Sequence, residues 1–177
     1  MSLSQKSARR VKLLKRIMSD MREHDMFSNI VSRVNDTESY IQKNVFLSLE
    51  KVLKSNLIEY GLSEKKSNNA VESFKWEQKV TTTVNNFTVF STNHRPDAVL
   101  DIGDIRIGIE IKKGDSGAAL RSGLGQCVLY GTEYDFVLYL FVDITPNQNI
   151  AKSINGEREQ EVVNGLWENH NVMLSII

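Results

Sequence analysis

The sequence predicts an α/β fold in which a mixed central sheet is covered by helices. Apolar residues recur at helical spacing over the first third of the chain. From Phe74 onward the period shortens to two. The run 136–142 is wholly apolar, the pattern of a strand buried on both faces of a sheet.

Residues 8–34 read as one helix. Val11, Leu14, Met18 and Met21 form its apolar stripe, with Lys12, Lys15, Arg16 and Arg22 between them. Over residues 1–33 eight basic side chains (Lys6, Arg9, Arg10, Lys12, Lys15, Arg16, Arg22, Arg33) face three acidic ones (Asp20, Glu23, Asp25). This asymmetry divides the chain into a basic N-terminal helical arm, 1–34, and a single α/β domain, 35–177. A second helix starts at the capping residues Asn35, Asp36 and Thr37 and runs to about Ser55, with Ile41, Val45, Leu49 and Val52 as its stripe. Glu38 points along the middle of that stripe, unusual for a carboxylate unless it has a partner, although acids also suit a first helical turn.

Phe74, Trp76, Gln78 and Val80 then alternate, followed by Val84, Phe87, Val89 and Phe90 around an Asn85-Asn86 turn signal. Strands at 96–101 and 105–112 meet at Gly103-Asp104, a hairpin signal. A helix over 118–130, a strand over 136–144, a helix over 157–170 with Val162, Val163, Leu166 and Trp167 inside, and a strand over 172–177 complete the order. The result is helix, three antiparallel strands, helix, strand, helix, strand.

Composition bounds the function. The 177 residues hold 22 Lys and Arg and 22 Asp and Glu, so the chain has no net charge and a wholly basic nucleic-acid binder is excluded. The seven-residue apolar run at 136–142 is far short of a membrane span, and no secretory signal is evident, which points to an intracellular, cytoplasmic protein. A lone cysteine, Cys127, makes neither an internal disulfide nor a multi-thiolate zinc site and reads as a packed thiol.

The chemistry concentrates in Arg95-Pro96-Asp97 and Glu110-Ile111-Lys112. On a strand, Ile109 and Ile111 face one side while Glu110 and Lys112 face the other. Folding the hairpin brings Asp97 level with the far end of the second strand, so two carboxylates and an ammonium converge. Asp97, Glu110 and the main-chain carbonyl of Ile111 are hard oxygen donors of the kind magnesium or manganese accepts. A water held there near Lys112 would be a ready nucleophile toward a phosphodiester, with Lys112 orienting it, lowering its pKa or stabilising the pentavalent intermediate. Arg95, Lys112, Lys113 and Arg121 are expected to gather around the site as phosphate contacts. His94, three residues before Asp97, reads as a turn histidine, with a substrate contact or a proton donor as the alternatives.

The pair Pro96-Asp97 followed by Glu110-Ile111-Lys112 resembles the PD-(D/E)XK nuclease superfamily, whose restriction-endonuclease-like core has the element order read above. Gln126 and Tyr130 are similar to the Q-x-x-x-Y element of its RecB-type branch and fall one helical turn apart. The resemblance covers about 36–145. It implies that Asp97 and Glu110 hold the metal, that Lys112 assists the water, and that Gln126 and Tyr130 position substrate. It also implies an acid on the first core helix. Glu38 matches best, with Glu50 or Glu72 as substitutes. The expectation is a magnesium-dependent deoxyribonuclease (manganese substituting), with DNA as partner and a homodimer in which the basic helix makes the contact. The alternatives are a catalytically silent nucleic-acid-binding or assembly module on the same fold, and a small-ligand domain with a structural acidic cluster.

Overall fold

A computed structural model describes residues 6–79 and 83–177; Val80, expected to end the first alternating run, lies outside the described residues. In chain order the elements are α1 (Ala8–Arg22), α2 (Ile30–Asn35), α3 (Glu38–Glu59), α4 (Glu64–Ser73), β1 (Lys75–Trp76), β2 (Phe87–Val89), β3 (Thr92–His94), β4 (Ala98–Ile102), β5 (Ile105–Gly114), α5 (Gly117–Tyr130), β6 (Phe136–Asp143), α6 (Asn149–Ser153), α7 (Glu157–His170) and β7 (Val172–Ile176). Five strands form one mixed sheet in the order β1-β4-β5-β6-β7, while β2 and β3 form a separate ribbon. β4 is antiparallel to both β1 and β5, and beyond β5 the strands β6 and β7 add in parallel.

Strand alternation sorts the core into two layers. Ile107, Ile109 and Ile111 of β5 and Leu138 and Leu140 of β6 face α1 and α3. Val137, Tyr139 and Phe141 face the other way, against Cys127 and Tyr130 of α5 and Leu166 of α7. β6 is buried along its whole length, as its apolar run predicts. The β4–β5 turn is Gly103-Asp104, flanked by the pair Ile102 and Ile105. Gly103 has φ +65°, and a Cβ there would meet nothing within 4 Å, so the glycine serves the backbone angle and not space.

The basic helix departs from expectation in its length. It is broken after Arg22 by a 3₁₀ turn, Asp25–Ser28. There His24 Nδ1 accepts from Met26 N at 3.2 Å and Asn29 Oδ1 from Val31 N at 2.9 Å, two local bonds that replace helix continuation. α1 itself packs on the core, as its apolar stripe requires. Leu14, Ile17 and Met21 are fully buried in the larger core, because a stripe of that width gains more on the sheet than in water. Several of its cations have partners within the chain: Arg10 pairs with Asp104 at 2.6 Å, Arg16 with Asp20 at 3.3 Å, and Arg9 donates to the Tyr60 carbonyl.

Other differences are local. α3 continues past Ser55 to Glu59, and α4, whose buried residues are only Ser67 and Ala70, carries too weak a stripe to be read from periodicity. Within the described part of the expected alternation, 74–79, only the two-residue β1 forms, although Phe74 and Trp76 are buried and pack on Phe46 of α3. The hairpin expected at Asn85-Asn86 turns instead at Phe90-Ser91. Phe87 decides that register, because its ring packs on His94, Tyr130 and Tyr134 and so fixes residue 87 inside the strand. On α7, Leu166 is buried and Trp167 stacks on Phe136 at 5.8 Å, but Val162 faces solvent. Among the described residues no helix is long and apolar enough to cross a membrane.

Candidate active site

β5, the segment leading into β4, α5 and the short ribbon meet at a cleft of about 370 Å³ lined by Asp97, Glu110, Lys112, Gln126, Tyr130, Arg95, Glu77, Asn86, Asn93 and His94. The β4–β5 ladder ends at the pair Ala98 and Ile109, so one further step sets Asp97 opposite Glu110. Asp97 Oδ2 accepts the main-chain N–H of Ile111 at 2.8 Å, continuing the ladder with a carboxylate where β4 has ended. Both acids are buried, Asp97 at 8% and Glu110 at 1% exposure. Ile109 and Ile111, fully buried beneath, fix the strand that carries them.

Lys112 binds two acids at once, with Nζ 3.2 Å from Glu110 Oε1 and 3.2 Å from Glu38 Oε1. The other oxygen of Glu38, Oε2, accepts the main-chain N–H of Lys113 at 2.8 Å. Glu38 is therefore the acid of the first core helix that reaches this strand. Glu50 pairs with Lys79 at 2.8 Å, and Glu72 is exposed. One turn along α3, Gln42 Nε2 donates to the Ile111 carbonyl at 3.1 Å. A carbonyl has two lone pairs, and Gln42 takes one of them.

Burial, followed by the charge of Glu110, pushes the Asp97 carboxyl well above its ordinary range, against the opposing pull of the Ile111 amide and Lys112. Burial also raises Glu110, against the pull of Lys112. For Lys112 burial disfavours the charge, but the carboxylates of Glu110, Asp97 and Glu38 outweigh it and hold the ammonium above its usual pKa. The Cys127 thiol and the Tyr130 phenol are both raised, first by burial.

Two acceptor atoms of the cleft, Glu110 Oε2 and Gln126 Oε1, are buried without a hydrogen-bond partner. An unpaired buried oxygen is costly unless something positive fills the space. Two carboxylates beside a main-chain carbonyl are a hard-oxygen donor set that suits a divalent cation, and magnesium in particular takes few protein carboxylates and retains waters. Among the described residues no group of three or more His, Cys, Asp and Glu is arranged to hold a metal, so the protein's own charged donors here are Asp97 and Glu110.

No family model matches the chain, and no curated protein matches it. Among solved structures it aligns with that of Pyrococcus furiosus SfsA in complex with Ca²⁺, at 12% identity and a TM-score of 0.38. The alignment covers 78% of this chain and 56% of the other, so the chain spans little more than half the length of that structure.

The remaining expected residues divide. Tyr130 lines the cleft, but its hydroxyl donates to the Arg95 carbonyl at 2.8 Å, so it fixes the segment leading to Asp97. Arg95 is at the cleft and pairs with Glu77. Lys113 does not join them: alternation turns it away, and its Nζ donates to the carbonyls of Val34 and Asp36, at 2.6 Å each. Arg121 is exposed and borders a separate groove between α5 and α7. The four-cation cluster is thus not formed, because two of its members lie on other faces. The cleft holds Glu77, Asp97 and Glu110 against Arg95 and Lys112.

Sequence reasoning missed Gln42 and Glu77. Gln42 had a signal, as a polar residue beside Ile41 and four after Glu38. Glu77 had none, since it reaches the cleft only because Glu77 N bonds the Asp97 carbonyl at 3.1 Å.

Proposed function

We propose that this protein is a metal-dependent nuclease that hydrolyses DNA phosphodiester bonds, built on a restriction-endonuclease-like core of the PD-(D/E)XK kind. The observation that carries the reading is the buried Asp97 and Glu110 pair, one oxygen of which is unpartnered, with the Lys112 ammonium 3.2 Å from Glu110. Two like charges buried side by side oppose folding, and an arrangement that costs stability points to a role in binding or chemistry.

Asp97 and Glu110 would hold Mg²⁺ or Mn²⁺, assisted by the Ile111 carbonyl. A divalent ion there supplies positive charge to the scissile phosphate and lowers the pKa of the attacking water. Lys112 stays an ammonium at neutral pH, so it acts by donating hydrogen bonds to water or phosphate oxygens and not by accepting a proton. Glu38 is the second carboxylate that holds Lys112 in place. Gln126, with a free buried oxygen, orients whatever donor enters the cleft, as in the Q-x-x-x-Y element that it resembles together with Tyr130.

The test is degradation of plasmid and of single-stranded DNA under magnesium or manganese by wild type and Lys112→Ala. Cutting by wild type that is lost in the variant, with DNA binding retained, supports the enzyme. Binding without cutting under either ion identifies a silent nucleic-acid-binding module. Absence of both overturns the reading.

A further inference from the structure

The β2–β3 ribbon ends in a feature the chemistry above does not use. Phe90 is 90% exposed, whereas the other large apolar residues at the surface range from 37% to 59%. Its backbone is left-handed, with φ +50°, and Ser91 beside it has φ +61°. That turn is suited to Asn-Gly, and a bulky aromatic residue adopts it under strain. An aromatic ring in a strained turn, gaining nothing from burial, has no role in folding. Its base is nonetheless rigid: Phe87 is packed on His94 at 5.8 Å and Tyr130 at 5.9 Å, and Asn86, Asn93 and His94 are walls of the cleft. Phe90 is four residues from Asn86 and three from Asn93, which sets it on the order of 10 Å from the cleft wall at ~3.3 Å per residue. That is about three base steps at ~3.4 Å each in a stacked strand.

We infer that Phe90 is a stacking platform for an unpaired nucleobase of the strand whose phosphate enters the cleft. This rests on the nuclease reading and adds to it a substrate class, DNA that is single-stranded or frayed next to the cut. Every base offers a π-face, so a lone aromatic ring reads no sequence. A paired base is already stacked on both sides and must be pulled apart before it meets Phe90, whereas an unpaired base is free to do so.

The experiment is fluorescence anisotropy of a labelled single-stranded oligothymidylate, in metal-free buffer to prevent cutting, with wild type, Phe90→Trp, Phe90→Ala and Phe90→Gly. Glycine is at ease at this φ, so Phe90→Gly keeps the ribbon folded while removing the ring. Affinity should fall about 5- to 150-fold in the alanine and glycine variants. It should persist in Phe90→Trp, with the indole emission quenched on binding, and duplex of the same length should bind all four alike. Equal binding of oligothymidylate by wild type and Phe90→Ala, in a protein that cuts DNA, overturns this inference alone. A wild type that neither binds nor cuts any DNA overturns the nuclease reading as well. Sedimentation showing that Phe90→Ala dissolves a dimer, with oligothymidylate affinity unchanged, overturns the inference in favour of a contact between chains.

Discussion

The hydroxyl of Tyr130 on α5 donates to the main-chain carbonyl of Arg95 at 2.8 Å, tying the helix to the segment that delivers Asp97. Tyr130→Phe keeps the ring among Phe87 and the rest of the second core layer and removes only this bond. The expected loss is about 1 kcal/mol, or roughly 2–4 °C in a chain of this length. Cutting should fall further than stability does, by on the order of 10-fold, because Asp97 loses its fixed position. Thermal melts and cleavage rates on the same preparations check both; a variant as active as wild type removes the positioning role.

Asp97 makes a prediction about pH. Its carboxyl is raised in the folded state, so the native form holds its proton at pH values where the unfolded chain has released it. The associated stability is complete below the ordinary carboxylate pKa of ~3.9 and is lost as pH rises through the raised value. In metal-free buffer Asp97→Asn should therefore be more stable than wild type at pH 7, by roughly 1–2 kcal/mol, with the difference shrinking toward pH 4. Magnesium should raise the melting temperature of wild type and leave that of the variant unchanged. Denaturant titrations across pH, with and without magnesium, measure both effects.

Glu38 links Lys112 to the amide of Lys113, so it holds the cation and the strand that carries it. Glu38→Gln keeps one acceptor for the amide and removes the charge. We expect a folded protein with a magnesium affinity close to that of wild type and cutting reduced about 10-fold, through a less firmly held ammonium. Single-turnover cleavage at saturating magnesium separates this from a metal-binding defect.

The α5–β6 contact depends on Gly123. A Cβ there would collide with the Tyr139 hydroxyl and lie 2.6 Å from Cζ of that ring. Gly123→Ala should cost at least about 1–3 kcal/mol, and Tyr139→Phe should recover only part of it, since the ring carbon stays too close. A double-mutant cycle by thermal denaturation is the measurement.

Much of this site was legible because strand alternation is strict. Glu110 and Lys112 had to share a face opposite Ile109 and Ile111, and the Gly103-Asp104 turn set Asp97 against Glu110. Glu38 was legible as a carboxylate misplaced on an apolar stripe. The directions of Lys113 and Arg121 were not, since a long flexible cation lies near many sites in sequence and its partner is chosen by whichever carbonyl or acid the fold brings within reach. The ribbon register was misread for a related reason. Asn85-Asn86 is a good local turn, but the packing of Phe87 against Tyr130 and Tyr134 outweighs it.

Periodicity in the sequence determined the layers, the fully buried β6 and the pairing of β4 with β5, because those follow from local repeats that only one face can satisfy. Tertiary structure alone decided that Gln42 takes up one lone pair of the Ile111 carbonyl and that Phe90 stands in solvent at the end of a ribbon rising from the cleft. Each of these depends on residues far apart in the chain, whose contact energies no short window of sequence contains.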